Sequence, residues 1–219
     1  MIPVNLPIPP AHYQTRVRQP GLAFLAATPN PTNDEWNQHR YWQYIHQDLY
    51  NWHKGICVYC ASWTPHPRDR GVDHTSIDHF VPKSRNRILA YERSNFRLVR
   101  SKLNNRKDSF EDVLDPCALQ LGWFRLNFTT FNLEPDGALP ASARRKVAAT
   151  IQQLLLNRDL AYVNERARVI YRYTAGRMTF SDVQKFYPFI ALEMTAKDFD
   201  VTERPSVQAV LARRPWLAD

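Results

Sequence analysis

"SIDHFVPKS", Ser76–Ser84, sets an aspartate directly before a histidine in a short apolar run and closes the run with Val81, Pro82, Lys83 and Ser84. Neighbours in a regular strand point to opposite faces, so Asp78 and His79 can serve one site only where the strand ends or bulges. Pro82, which has no N–H to give to a ladder, predicts such an end. Working outward, Ser76 to Phe80 reads as one short strand and "NFRLV", Asn95 to Val99, as a second. "SKLNNRKDSFEDVLD" then reads as a helix with Ser101 at its N-cap and Leu103, Phe110, Val113 and Leu114 on one face. The local order is strand, long loop, strand, helix.

A carboxylate beside an imidazole has a specific chemical use. Asp78 can give an oxygen to a hard divalent cation, and His79, neutral near pH 7, can accept a proton from water; together these suit metal-assisted phosphodiester hydrolysis. The charge distribution agrees. From Lys83 to Lys107 there are nine basic residues against one acid, Glu92, so this segment carries the whole net charge of +8 and the remainder sums to zero. Positive charge concentrated beside a metal and base site predicts a phosphate-backbone surface rather than a merely solvated face.

"DHFVPKS…SNFRLV…LNNRKDS" resembles the HNH, or ββα-metal, endonuclease signature. The resemblance implies His79 as general base, Asp78 as a metal ligand and Asn104 as the second metal ligand. It implies for Asn95 a structural part, an amide clamp across the loop from Val81 to Ser94 that holds the His79 backbone. Asn104 is preferred to Asn105 because Asn104-x-x-Lys107 is similar to the helix start of many members. The two amides stand about 100° apart around a helix, so they do not both serve. One Mg²⁺ or Mn²⁺ on a charged and a neutral oxygen would leave positions for water and phosphate oxygens. The implied products are a 5′-phosphate and a 3′-hydroxyl. Arg97, Arg100, Arg106 and Lys107 are the candidates for phosphate contacts, with DNA as the expected substrate; phosphate contacts do not read the sugar, so RNA stays open.

Many HNH proteins place this motif between two Cys-x-x-Cys knuckles holding a structural Zn²⁺. The first is present as Cys57 and Cys60 in "CVYC", whereas Arg100 and Leu103 stand where the second should fall. Half a knuckle does not complete a tetrahedral site, so zinc is not expected unless His66, His74 or Cys117 supplies ligands. A second Asp-His dipeptide, Asp73-His74, has no downstream partners and reads as a loop pair.

Around this centre, seven of the sixteen prolines lie in the first 31 residues, which predicts an extended arm over 1–32. "NDEWNQHRYWQYIHQDLYNWHKG" predicts one helix from a cap at Asn33 or Asp34 to Gly55, with Trp36, Tyr41, Tyr44, Ile45, Leu49 and Trp52 near helical spacing. A turn-rich loop, 61–75, follows. Further on, Trp123 to Leu133 alternates as a hairpin, two helices follow from Ala141 with Asn157 as break and cap, and shorter helices are expected over Ser181 to Lys197 and Ser206 to Ala212. "LDPCALQLGWFRLNFTTFNLEPDG" and "TIQQLLLNRDLAYVNER" resemble the C-terminal portion of the HNH subunits of Septu-type bacterial anti-phage systems, which implies an ATPase partner subunit.

The expected fold is therefore α+β, a ββα-metal (HNH) centre embedded in a mainly helical single domain: an arm over 1–32, the nuclease core over 33–116, and a hairpin with helices over 117–219. No apolar run approaches the roughly 20 residues a membrane span needs, and "MIPVNLPIPPAHYQ" lacks the pattern of a secretory signal. Three cysteines do not make a disulfide framework, so reduced thiols and a cytoplasmic location are expected. Two competing readings are a noncatalytic nucleic-acid-binding module and a nuclease subunit active only with its ATPase.

Overall fold

Thr75–His79 form strand β1, which runs antiparallel to β2, Phe96–Arg100, in the register Thr75 to Arg100, Asp78 to Arg97 and His79 to Phe96. Helix α4, Ser101–Lys107, follows β2 without an intervening residue. The computed structural model describes residues 1–6, 8–66, 68–69, 73–110 and 112–213, so part of the turn-rich loop expected at 61–75 and one residue of the helix expected from Ser101 lie outside the described residues. The chain is α+β with helices predominating and two small two-stranded antiparallel sheets. Its contacts gather into two compact units, one of 4–58 with 64–111, the other of 1–3 with 59–63 and the chain from Asp112 onward.

The first unit contains the β1–β2 pair. Here α4 is shorter than expected: Asp108 takes a left-handed backbone (φ 42°) and ends it, which leaves Phe110 exposed. Asp73, not Ser101, caps its start. The Asp73 carboxylate accepts from the backbone N–H of Lys102 at 3.1 Å, and the Ser101 N–H donates to the carbonyl of His74. The Asp73-His74 pair is thereby a helix cap.

The arm expected over 1–32 is irregular at its start and end, but its middle is helical. A π-helical turn over Gln14–Arg18 runs into helix α1, Gln19–Ala27, and Tyr13, Val17 and Phe24 are buried on one face. Pro20 is compatible because it occupies the first turn of α1, where no intrahelical donor is needed. Gly21 permits the packing: a Cβ there would lie 2.1 Å from the ring of Tyr91. The helix expected from Asn33 to Gly55 is broken into α2, Asn33–Gln38, a 3₁₀ segment Tyr41–Ile45, and α3, His46–Trp52. Thr32 and Glu35 form a capping box at its start, so the cap lies one residue before Asn33. The 3₁₀ segment shifts the phase, which buries Trp42, Ile45 and Leu49 but leaves Tyr44 and Trp52 exposed.

In the second unit β3, Phe124–Leu126, pairs antiparallel with β4, Leu133–Pro135, which is the expected hairpin. Helices α5, Ala141–Gln153, and α6, Leu160–Thr174, follow. The break falls at Asn157 as read, but the cap is Asp159, whose carboxylate accepts from the Ala161 N–H. Asn157 instead exchanges two 2.8 Å hydrogen bonds with the backbone of Leu133. Buried Arg166 donates to the carbonyls of Phe131 and Leu156, so the polar residues of "LLLNRDLAYVNER" tie helices to hairpin. The helix expected over Ser181 to Lys197 is two, α7, Phe180–Phe186, and α8, Pro188–Ala196, because Pro188 cannot continue α7. Short α9, Phe199–Thr202, and α10, Arg204–Ala212, complete it. No helix among the described residues is long and apolar enough to cross a membrane.

Candidate functional site

Because β1 stops at His79, its last residues need not alternate, and Asp78 and His79 border one cavity of about 560 Å³ together with Asn104, Asn105, Lys83 and Trp42. All lie in the first unit. The His79 ring stands edge-on to Trp42 and Phe96, with centroids 4.7 and 5.4 Å away. Its Nε2 lies 2.9 Å from the carbonyl oxygen of Ala90. A carbonyl only accepts, so Nε2 carries the proton and Nδ1 keeps the lone pair. Burial, then the nearby Lys83 ammonium, lowers its pKa to about 3 against the opposing pull of the Ala90 carbonyl, with Lys107 lowering it further. The ring is neutral at pH 7.

The position of Ala90 has its own causes. Asn95 accepts from the Val81 N–H at 2.7 Å and donates to the carbonyls of Val81 and Leu89 at 3.0 and 3.2 Å, clasping the two ends of the loop that carries Ala90. Asn95 lies in a 3₁₀ turn just before β2 rather than opening the strand. Its clamp acts two residues past His79, at Val81. Tyr13 contributes from outside the motif: its hydroxyl donates to the Tyr91 carbonyl at 2.8 Å and accepts from the Arg93 N–H at 2.9 Å. Sequence reading missed Tyr13. The available signal was the spacing of four and seven residues between Tyr13, Val17 and Phe24, which the prolines around them obscured.

Asp78 is buried and pairs with fully buried Lys107, whose Nζ stands 3.2 Å from Asp78 Oδ1 and 3.2 Å from the His79 carbonyl oxygen. Asn104 donates from Nδ2 to Ser76 Oγ at 3.2 Å, so the amide lies against β1, and it borders the same cavity as Asp78. Asn105 is exposed at the rim. A carboxylate and an amide oxygen at an open polar cavity have the donor chemistry of a hard cation that keeps most of its water. They would have to hold it next to the Lys107 ammonium. Among the described residues no three His, Cys, Asp or Glu side chains come together as a metal cluster.

Three of the four expected phosphate contacts are not at the surface. Arg97 is buried and donates to the carbonyls of Ser94 and Phe96; it also lies over the Phe80 ring. Arg100 is buried with its Nε 2.9 Å from Thr64 Oγ1, and Lys107 holds Asp78. The physical reason is that β2 is buried along its whole length, so its arginines turn inward and are satisfied by backbone and hydroxyl oxygens. Arg106 alone of the four is partly exposed. The basic groups that do border the cavity are Arg40 and Lys83. Lys83 lies 4.4 Å from the Trp42 ring centroid and 5.2 Å from that of Trp36, and burial lowers its pKa to about 8.

Cys57 is buried and its sulfur accepts from the backbone N–H of Arg100 at 3.3 Å; Cys60 is half-buried, and neither is in a disulfide. The position of a second-knuckle ligand is thus filled by a residue that hydrogen-bonds the first cysteine. No family model, no curated protein and no solved structure matches this chain.

Proposed function

We propose that the chain is a metal-dependent endonuclease of the HNH type that hydrolyses phosphodiester bonds of DNA. The observation that carries this reading is His79, a neutral imidazole with its Nε2 proton committed to Ala90, bordering one cavity with Asp78 and Asn104. In this arrangement Nδ1 accepts the proton of the attacking water, while the Ala90 contact keeps the ring from turning. Asn95 and Tyr13 are positioning residues that hold the loop bearing Ala90. Asp78 and Asn104 would hold the Mg²⁺ or Mn²⁺, which when bound stabilises charge on the phosphate and the leaving oxygen. Lys107 anchors the Asp78 carboxylate and the His79 backbone, so both roles depend on one buried ammonium. A role in anti-phage defence beside an ATPase subunit follows from the resemblance of the C-terminal part.

The Lys107–Asp78 pair also favours a second reading. A carboxylate already neutralised by an ammonium attracts a cation less strongly, which suits a noncatalytic nucleic-acid-binding module. Plasmid cleavage with Mg²⁺ or Mn²⁺ separates the two. The nuclease reading expects cleavage that chelator abolishes and that His79→Ala lowers by at least about 100-fold, with DNA affinity retained. Equal binding by wild type and His79→Ala, with cleavage by neither under any divalent metal, removes the stand-alone nuclease and leaves the binding module or a subunit silent without its ATPase.

A further inference from the structure

The burial of Arg97, Arg100 and Lys107 moves the question of where a phosphate backbone is held. A second cavity, of about 390 Å³, is bordered by Lys83, Arg85, Asn86, Arg87, Trp36 and Asn30. It shares Pro31, Trp36, Lys83 and Ser84 with the cavity of His79, so the two are neighbouring compartments with Lys83 on the wall between them. Arg85 and Arg87 are exposed, and their loop is built rather than slack. The backbone N–H groups of Arg85 and Asn86 both donate to the Pro82 carbonyl, at 2.9 and 3.0 Å. The Asn86 side chain accepts from the Ile88 N–H, and the Arg87 guanidinium donates to Asn30 at 3.0 Å, fastening the far rim. The described residues bordering the compartment combine three basic side chains with the apolar faces of Pro31, Trp36 and Ile88, and no acid is among them.

We propose that this compartment is the subsite for one unpaired nucleotide next to the scissile phosphate, with Lys83 contacting the phosphate between the two compartments and Arg85 and Arg87 the next one along. The proposal rests on the nuclease reading of the His79 cavity but concerns binding. Its volume lies within the range of sites for small ligands and accommodates a single nucleotide rather than a base pair. The Arg87 guanidinium, tethered to Asn30, loses little freedom on meeting a phosphate oxygen, and with the charge of Arg85 beside it adds appreciably to affinity and to its salt dependence.

The test measures binding by fluorescence anisotropy in the His79→Ala background, so that cleavage does not consume the probe. The probes are a single-stranded DNA oligonucleotide of about twelve nucleotides and a blunt duplex of the same sequence. Arg85→Ala with Arg87→Ala is expected to weaken single-strand binding about tenfold and to reduce the slope of log affinity against log salt by about one to two. The blunt duplex is expected to lose less than threefold. Arg145→Ala with Lys146→Ala, which removes the same charge from the exposed face of α5, is the control and is expected to leave single-strand binding within about twofold. Unchanged single-strand affinity, an equal loss in the control pair, or an equal loss for blunt duplex overturns the subsite. If wild type fails to cleave but this pattern of affinities appears, the subsite stands and only the hydrolytic reading falls.

Discussion

A fully buried ammonium needs a counter-charge, and Lys107 takes it from Asp78 across 3.2 Å while its remaining donors reach the His79 carbonyl. Taking both ions out of water is costly, so the pair adds little net stability, yet removing one partner strands the other. Lys107→Met is therefore expected to cost about 3 kcal/mol and about 9 °C in Tm. Adding Asp78→Asn removes the stranded charge and should return part of the loss. Urea melts of the two single variants and the double variant read the coupling; losses that add within about 0.5 kcal/mol would show that the two groups do not act as a pair. Lys107 was legible in the sequence as part of a basic run, but its inward direction was not. That depends on α4 lying against β1, a contact between residues about thirty positions apart, whereas charge counting sees only neighbours along the chain.

At the scale of elements, the decisive contact is α1 against the loop between β1 and β2. Gly21 presses on the Tyr91 ring, and Tyr91 follows Ala90, whose carbonyl holds His79. Gly21→Ala gains about 1 kcal/mol in helix propensity, but a methyl 2.1 Å from a ring carbon must displace the helix or the ring. The clash outweighs the propensity. A net loss of about 2 kcal/mol is expected in thermal or urea melts, with cleavage falling as the Ala90 carbonyl shifts; a variant as stable as wild type would mean that α1 does not brace the loop. Helix type was readable wherever apolar spacing was continuous, as in α5 and α6. Ends were less so: Asp108, Asp159 and Pro188 stop or start helices through left-handed backbone, a side-chain cap and a missing donor, and each overrides a periodic pattern that continues past it.

For the molecule as a whole, half-buried histidines set the response to acid. Burial lowers the pKa of His46 and His53 to about 4; His66 and His74 add to the effect at His46, and the Arg97 charge at His53. With the folded values below the unfolded value of 6.5, the unfolded chain takes up protons first as pH falls. The share of stability that depends on His46 and His53 is complete above pH 6.5 and lost between 6.5 and about 4, and the share that depends on His79, with its folded value of about 3, goes on falling to about pH 3. A Tm on the order of 5 °C lower at pH 5 than at pH 7 is expected, and His46→Gln with His53→Gln should flatten this slope. A slope unchanged by the double substitution would assign the acid response to His79 and other groups.

Local order along the chain determined the strand, loop, strand, helix arrangement, because periodicity, a strand-ending proline and apolar spacing act between neighbouring residues. It also placed Asp78 and His79 together where β1 stops, since they are adjacent, whereas Asn104 reaches Ser76 of β1 only through the packing of α4. Only the tertiary structure decided which basic residues face solvent, what holds the loop of Ala90, and that Gln14–Ala27, within the proline-rich start, is helical and packs on Tyr91. Each of these depends on burial between segments far apart in the chain, where the cost of leaving a charge or a backbone group unpaired selects the partner.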